Sequence, residues 1–475
     1  MLRTYIDPTQ APLAKLEANA ISGAQDVVIG MASSAPAASI GLTIAPLAAA
    51  TAYGSGAVIA LTAVPMLVIA NAYRRLNLWN ANTGASFEWV GRAVNPYLGF
   101  LAGCLMIAAY VIATVSGVEV LGPSVLAVFG ADSASTWANL AIGTGVGVIM
   151  LVIAVAGIRI TARTQVGMAV IEYAVLLALG IAGLALVLGR HHGTISLSRG
   201  WLSPAGTGGK GSAAAGFLVA VFMFTGWDGT VYVNEEVTNR HRNPGRAAIA
   251  AVIILGVIYT LCTVGLQGTV PAKALQANSA SALVYTARTI GGPGWAKALA
   301  LALSVIATTG TGIVLGARIV YGMASRHVLP PFLGNVSARF GTPVWASVLV
   351  GGSIIALTWV YLLAASVQDA FTDVVDVTGL LFAVFYALTA LATITYYRRR
   401  VFSSLRDAVM LGVLPLGAVG FLGWVLVRSL GDASWAERWS LAGVVGAGVV
   451  VMASVRVLLR PAFFRLARES DASRH

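Results

Sequence analysis

The chain has 475 residues, of which 58% are hydrophobic and only 10% charged, with a mean hydropathy of +0.83. A water-soluble domain carries roughly a quarter charged residues, so a soluble fold is excluded, and soluble enzymes with it. The net charge of +12 does not call for a nucleic-acid partner, because the basic residues gather in alternate loops.

Residues 1–20 scatter Asp7, Lys15 and Glu17 through a stretch with no compact apolar core or cleavage site. A secretory signal is therefore not expected, and this segment reads as a cytoplasmic N-terminal tail. Apolar stretches follow at 21–48, 53–73, 97–127, 136–157, 165–189, 213–237, 246–270, 296–325, 343–364, 371–397, 409–429 and 438–459. Each is long enough to cross a hydrocarbon layer of about 30 Å as a helix, which makes about twelve transmembrane helices in an all-α integral membrane protein. The longest polar gaps, 190–212 and 271–295, are loops with room for an interfacial turn, so no separate soluble domain is expected. Residues 460–475 form a second cytoplasmic tail. Arg74, Arg75, Arg240, Arg242, Arg246, Arg398, Arg399 and Arg400 all fall on the side that carries both tails. That asymmetry puts the termini inside a cell (inner or plasma) membrane.

Cys104 and Cys262 both lie inside spans, and the five histidines show no ligand spacing on a predicted helix. Neither a disulfide framework nor a metal site is expected, and no cofactor motif is present.

Two spans are interrupted. The first contains GMASSAPAASIG (Gly30 to Gly41), where Pro36 removes a backbone donor. The sixth contains FTGWDGT (Phe224 to Thr230), where Gly226 and Gly229 flank Trp227 and Asp228. Lipid cannot satisfy the freed backbone groups, so protein, water or ligand must. Either interruption alone reads as a simple kink. Together they fall at equivalent places if spans 1–5 (21–189) and 6–10 (213–397) form two inverted repeats, with 409–459 as spans 11 and 12. In that arrangement broken helices build a midplane binding site.

The stretches NTGASFEWVGRAVNPYLGF (Asn82 to Phe100), GIRITARTQ (Gly157 to Gln165), GWDGTVYVNEEVTNRHRNPGRA (Gly226 to Ala247) and GARIVYGMASRHVLPPFLGNVSARFGTP (Gly316 to Pro343) resemble segments of the amino acid–polyamine–organocation (APC) permease superfamily. The resemblance extends across spans 1–10, and its last stretch is the most specific. It implies the bacterial leucine-transporter-like fold, a five-plus-five inverted repeat with helices 1 and 6 broken, working by alternating access. One departure stands in helix 1, where SSAPAAS (Ser33 to Ser39) replaces the family's Gly-Ser-Gly type of break and leaves the register there open.

In helix 1 the substrate-binding region is Ser33, Ser34, Ala35, Pro36, Ala37 and Ser39, where small hydroxyls and exposed amides suit a substrate carboxylate. Close packing by small residues is the alternative. In helix 6 it is Phe222, Phe224, Thr225, Gly226, Trp227 and Asp228. Trp227 reads as an aromatic lid, and Phe222 by resemblance as a gating aromatic. A carboxylate inside a span is a functional candidate by default; Asp228 by resemblance holds an acidic gating position of arginine–agmatine exchangers and is read, with Glu172, as a candidate proton-coupling group. On helix 3, Tyr110 and Thr114 are spaced i, i+4 on one face and match cavity-facing positions of the family.

Glu172 on helix 5 aligns with a lysine that replaces sodium in some proton-coupled relatives. With the charge reversed, it is read as a proton-coupling group or as a structural hydrogen bond to the broken helix. Thr308, Thr309 and Thr311 lie near the expected cation-site region of helix 8, though threonines also bond their own helix. Glu119 is a further acid within span 3. Glu235 and Glu236 mark the cytoplasmic end of helix 6, where Arg240, Arg242 and Arg246 offer gate ion pairs or a solvated loop.

The function expected is uptake of a small amino acid or related amine by proton-coupled symport, with sodium as the other candidate ion. An amino acid or amine exchanger on the same fold is the alternative. A channel or a membrane-embedded enzyme stands further off, because no nucleophile–base pair or metal motif is found. The lipid bilayer is the only macroscopic partner implied, and the oligomeric state is not legible.

Overall fold

The computed structural model describes residues 15–131, 134–191, 193–204, 213–277, 285, 289–291, 293–364 and 367–465. They form helices joined by loops, with no strand among them beyond one isolated parallel bridge between Ile21 and Val237. Among them, ten helical stretches are long and apolar enough to cross a membrane. The expected spans correspond to helices whose ends move by a few residues, with two exceptions: the first and sixth break into shorter pieces.

The first broken span opens at Ser22, whose hydroxyl accepts from the Gln25 N–H at 3.3 Å while the Gln25 side chain accepts from Ser22 N–H at 2.9 Å. This reciprocal cap starts α1 (Gly23–Ser33). The helix stops because Ala35 turns into the left-handed region (φ 45°) and Pro36 begins α2 (Pro36–Thr51). A non-glycine residue there is strained, and the packing around the break holds it. After a short turn, α3 (Ser55–Trp79) runs back. The sixth span ends its first half, α8 (Ala213–Met223), before Gly226, whose φ of 99° no L side chain adopts easily. One further turn, α9 (Gly229–Tyr232), follows the break.

Between the broken pieces lie α4 (Ser86–Ala93), α5 (Pro96–Val128), α6 (Thr136–Ala156) and α7 (Ile158–Leu188). After α9 come α10 (Asn243–Thr269) and the short α11 (Ala272–Ala277) in the loop where an interfacial turn is expected. The chain then forms α12 (Gly294–Ala324), α13 (Val344–Ala364), α14 (Val367–Tyr396), α15 (Leu414–Asp432) and α16 (Trp435–Leu458). α5 packs along α12, and α10 along α3 and α7, enclosing the two breaks. α12 is the most buried long helix, whereas α16 is largely open to the surroundings, as a lipid-facing helix needs to be.

Candidate substrate and coupling site

The two breaks touch. A Cβ on Gly226 would stand 2.3 Å from the Ser33 carbonyl oxygen, so only glycine lets the helix 6 backbone lie on the end of α1. The Ser33 hydroxyl donates to the Gly30 carbonyl at 3.1 Å and also to the Gly226 carbonyl. Ser34 donates to Gly30 O at 3.2 Å, and its own carbonyl accepts from Ser39 at 2.7 Å and from Tyr259 at 3.3 Å.

The amides of the helix 1 break are all engaged. Ser34 N–H donates to Met31 O at 3.1 Å, Ala35 N–H to Ala32 O at 3.2 Å, and Ser39 N–H to Ala35 O at 2.7 Å. Ala37 N–H donates to Glu172 Oε1 at 2.9 Å and Ala38 N–H to Ser304 Oγ at 3.2 Å; Pro36 has no N–H. The N-terminus of α2, positive by its aligned peptide dipoles, thus already carries a carboxylate from α7. The backbone donors offered by the sequence to a substrate carboxylate are taken up by the protein's own groups in this conformation.

Beside the break lies a cavity of about 30 Å³, room for about two waters. Of the residues singled out in the sequence, Ala35, Ser39, Thr114, Phe222 and Thr308 line it, together with small residues such as Ala38, Ala113 and Gly117. Thr308 Oγ1 donates to Ala32 O at 2.9 Å, tying α12 to the last turn of α1. Thr309 and Thr311 instead donate to their own helix, at Val305 O (2.8 Å) and Ala307 O (3.2 Å). Phe224 packs edge-on against Tyr259 at 5.5 Å, and Thr225 donates to Phe222 O at 2.7 Å. Both sit in the broken segment without lining the cavity.

Trp227 and Asp228 are fully buried on the other side of the break. The indole stacks on Tyr386 of α14 (centroids 5.3 Å) and meets Tyr73 edge-on at 5.2 Å. Asp228 Oδ1 accepts from the Tyr386 hydroxyl at 2.7 Å. Tyr110, one helical turn before Thr114 on α5, meets Tyr232 and Phe382 edge-on at 5.9 and 5.6 Å. The Glu119 side chain lies outside the described residues.

Toward the side where Ile21 and Phe463 pack lies a cluster of buried charge. Arg318 on α12 makes a two-pronged pair with Glu236, Nε to Oε2 at 3.0 Å and Nη2 to Oε1 at 2.9 Å, and both side chains are fully buried. Glu236 therefore pairs with a helix 8 arginine that the sequence reading did not single out. Glu235 accepts from the Thr83 N–H at 3.2 Å. Glu88 on α4 binds both Arg92 and Arg326. Asn77, Asn234 and the carbonyls of Arg240 and His241 form a polar seam alongside.

Asp26, one turn before Gly30 on α1, was also not singled out. It is fully buried, and neither carboxylate oxygen has a hydrogen-bond partner among the described residues. The signal for Asp26 and Arg318 was present, since a charge within an apolar span is a functional candidate by default.

Two broken helices that meet, with a small cavity beside them, are the arrangement in which transporter folds place a binding site. A family model described as amino acid permease matches residues 27–451. The chain belongs to that amino acid permease family. Among similar proteins, the Asc-type amino acid transporter 1 of Mus musculus is 26% identical over 153 residues, covering 32% of this chain and 28% of that protein. The large neutral amino acids transporter small subunit 2 of Homo sapiens is 22% identical over 243 residues (51% and 42%). The cationic amino acid transporter 1 of Arabidopsis thaliana is 26% identical over 213 residues (44% and 34%). The matched region spans less than half the length of each of these relatives. Among solved structures, a mutant of the Eremococcus coleocola manganese transporter superposes with a TM-score of 0.58 at 12% identity, covering 92% of this chain and 94% of that one. At that identity the likeness shows the fold alone, which is the leucine-transporter type. The chain is therefore a multi-pass helical member of that permease family, with ten helical stretches among the described residues long and apolar enough to cross a membrane.

Proposed function

We propose that this permease takes up a small amino acid or related amine across a cell membrane as a proton-coupled symporter, with both termini in the cytoplasm. In this reading 21–189 and 213–397 are two inverted repeats rocking about the broken helices. The observation that carries it is the bond from the Ala37 amide to Glu172 across the helix 1 break.

Glu172 is 1% exposed, and its second oxygen has no partner among the described residues. While ionised it stabilises the positive end of α2 by about 1–2 kcal/mol. A proton on it removes most of that attraction and frees α2 to move relative to α7. Proton binding and helix position thus draw on one free energy, which is what coupling requires. Phe222 and Trp227 close over the substrate from the two sides of the break.

The test is uptake by purified protein in liposomes, with labelled amino acids and amines and an imposed inward proton gradient. Concentrative uptake abolished by a protonophore is expected. Glu172→Gln should lose gradient stimulation while counterflow from preloaded vesicles persists. An unchanged pH dependence in that variant would sink the coupling role. Signal only from preloaded vesicles, indifferent to the gradient, would make the protein an exchanger and Glu172 a helix cap.

A further inference from the structure

Among the described residues, Glu88, Glu172, Asp228 and Glu236 are buried acids that each have an ion-pair or hydrogen-bond partner, whereas Asp26 is fully buried with none at either oxygen. Its neighbours along α1 show which way it faces. One turn before it, a Cβ on Gly23 would stand 3.4 Å from the Asn243 side chain at the start of α10. One turn after it, a Cβ on Gly30 would stand 2.6 Å from the Thr230 side chain of α9. Residues three and four apart share a helix face, so Asp26 lies on the face that α10 and α9 cover. The Thr230 hydroxyl has no hydrogen-bond partner among the described residues either.

The charged and titratable groups on the elements packed against α1 are engaged elsewhere. On α12, Arg318 holds Glu236, Tyr321 lies beside that pair, and Lys297 donates to the Gly291 carbonyl. On α7, Arg159 holds Glu17, Arg163 is exposed, and Glu172 and Tyr173 stand at the break. On α10, Arg246 is exposed, Tyr259 bonds the Ser34 carbonyl and Cys262 the Leu176 carbonyl. Tyr232 on α9 donates to Met106, and Glu235 just beyond it accepts from the Thr83 amide. A carboxylate alone in an apolar interior is far costlier than a neutral carboxyl, and the first-turn amides of α1 offset only a small part of that cost. The group avoids it by holding a proton, a ligand that needs no cavity.

The start of α1 is also tied to the cluster of buried charge. Ile21 N–H donates to the Glu236 carbonyl at 3.1 Å, and the Ile21 carbonyl accepts from Thr238 N–H at 2.9 Å, while the Glu236 side chain holds Arg318. Ser22 and Ala24, within one turn of Asp26, are exposed on the side of the exposed Glu17–Arg159 pair. Parting Arg318 from Glu236 releases this segment, and a small tilt of α1 then brings Asp26 to the water on that side. We propose that Asp26 is a proton-linked latch: its carboxyl keeps its proton while the Arg318–Glu236 pair is closed, gives it to water when α1 tilts away, and must regain one before the side can close. This rests on the transporter reading above and adds to it a second titrating group, distinct from Glu172, whose proton returns to the side it left and is not carried across. The closed form holds one proton more than the open form, so closure is favoured in acid and lost as the pH rises, by at most about tenfold per pH unit.

The experiment uses purified full-length protein in lipid nanodiscs. Hydrogen–deuterium exchange of the α1 amides is followed by mass spectrometry from about pH 5 to about pH 8, corrected for the intrinsic pH dependence of exchange, and the wild-type open population should rise by up to about tenfold per pH unit within that range. It should be flat in Asp26→Asn, which is neutral at every pH, and in Asp26→Leu, which decides if the asparagine variant does not fold. Glu172→Gln should keep the slope. Wild-type opening that ignores pH overturns the inference, as does a slope that survives the loss of Asp26 or disappears equally in Glu172→Gln. Gradient-driven uptake in liposomes with no such slope would defeat the latch alone. The slope without transport of any amino acid or amine would leave the latch standing and defeat the transporter reading.

Discussion

The two sides of the helix breaks are packed with different chemistry. On the terminal side the seal is charge: Arg318 with Glu236, Arg326 and Arg92 with Glu88, and the Asn77–Asn234 seam. Beyond the breaks it is small residues, Ala35, Ala38, Ala113 and Gly117, around space for about two waters. A buried ion pair has discrete partners and comes apart all at once, whereas small apolar residues yield by shifting. In the proposed transport cycle the charged end would act as the switch and the small-residue end would shape itself to a ligand.

The largest test of this contrast removes one partner of the switch. Arg318→Met leaves Glu236 as an uncompensated buried charge and should destabilise the purified protein by about 3–5 kcal/mol. Arg318→Met combined with Glu236→Met should recover most of that in thermal unfolding. If the single change costs nothing, the pair does not close this end. Next in size, Gly226→Ala forces a side chain at φ 99° against the Ser33 carbonyl. It should cost about 1–3 kcal/mol and abolish transport, because the crossing of the two breaks cannot keep its geometry. Normal uptake by this variant would mean that the crossing opens freely.

The switch end is also braced by the chain's last described turn. Phe463 stacks on Phe87 of α4 at 4.5 Å and fills the space left by Gly91, while Phe464 stacks on Tyr97 at 5.1 Å. Phe463→Ala should cost about 1.5–3 kcal/mol, read as a lowered Tm. Smallest in stability but visible in kinetics, Ala113→Leu fills the cavity. It should raise KM by about tenfold with a Tm close to wild type, and an unchanged KM would place the substrate elsewhere.

Much of the scaffold was legible without coordinates. An apolar run of about 20 residues has few alternatives to a membrane helix, and Pro36, Gly226 and Gly229 announced the two breaks because they weaken a helix wherever they stand. Glu172 and Asp228 were visible as acids within spans. Their partners were not. Ala37 lies 135 residues from Glu172, and Tyr386 lies 158 residues from Asp228. The acid pair at the end of helix 6 was read with the arginines of its own loop, whereas Glu236 reaches Arg318, 82 residues on.

By itself, then, the sequence determined what each segment must be: which stretches enter the bilayer, where two of them cannot stay helical, and which charges need a reason to be there. Those properties are local, set by backbone geometry and by the cost of moving polar groups out of water. Tertiary structure alone decided what satisfies each freed or buried group. Glu172 occupies the Ala37 amide of helix 1, Arg318 pairs with Glu236, and Asp228 accepts from Tyr386. That assignment depends on which helices become neighbours, and hydropathy carries no record of it because every helix in the bundle is apolar enough to stand beside any other.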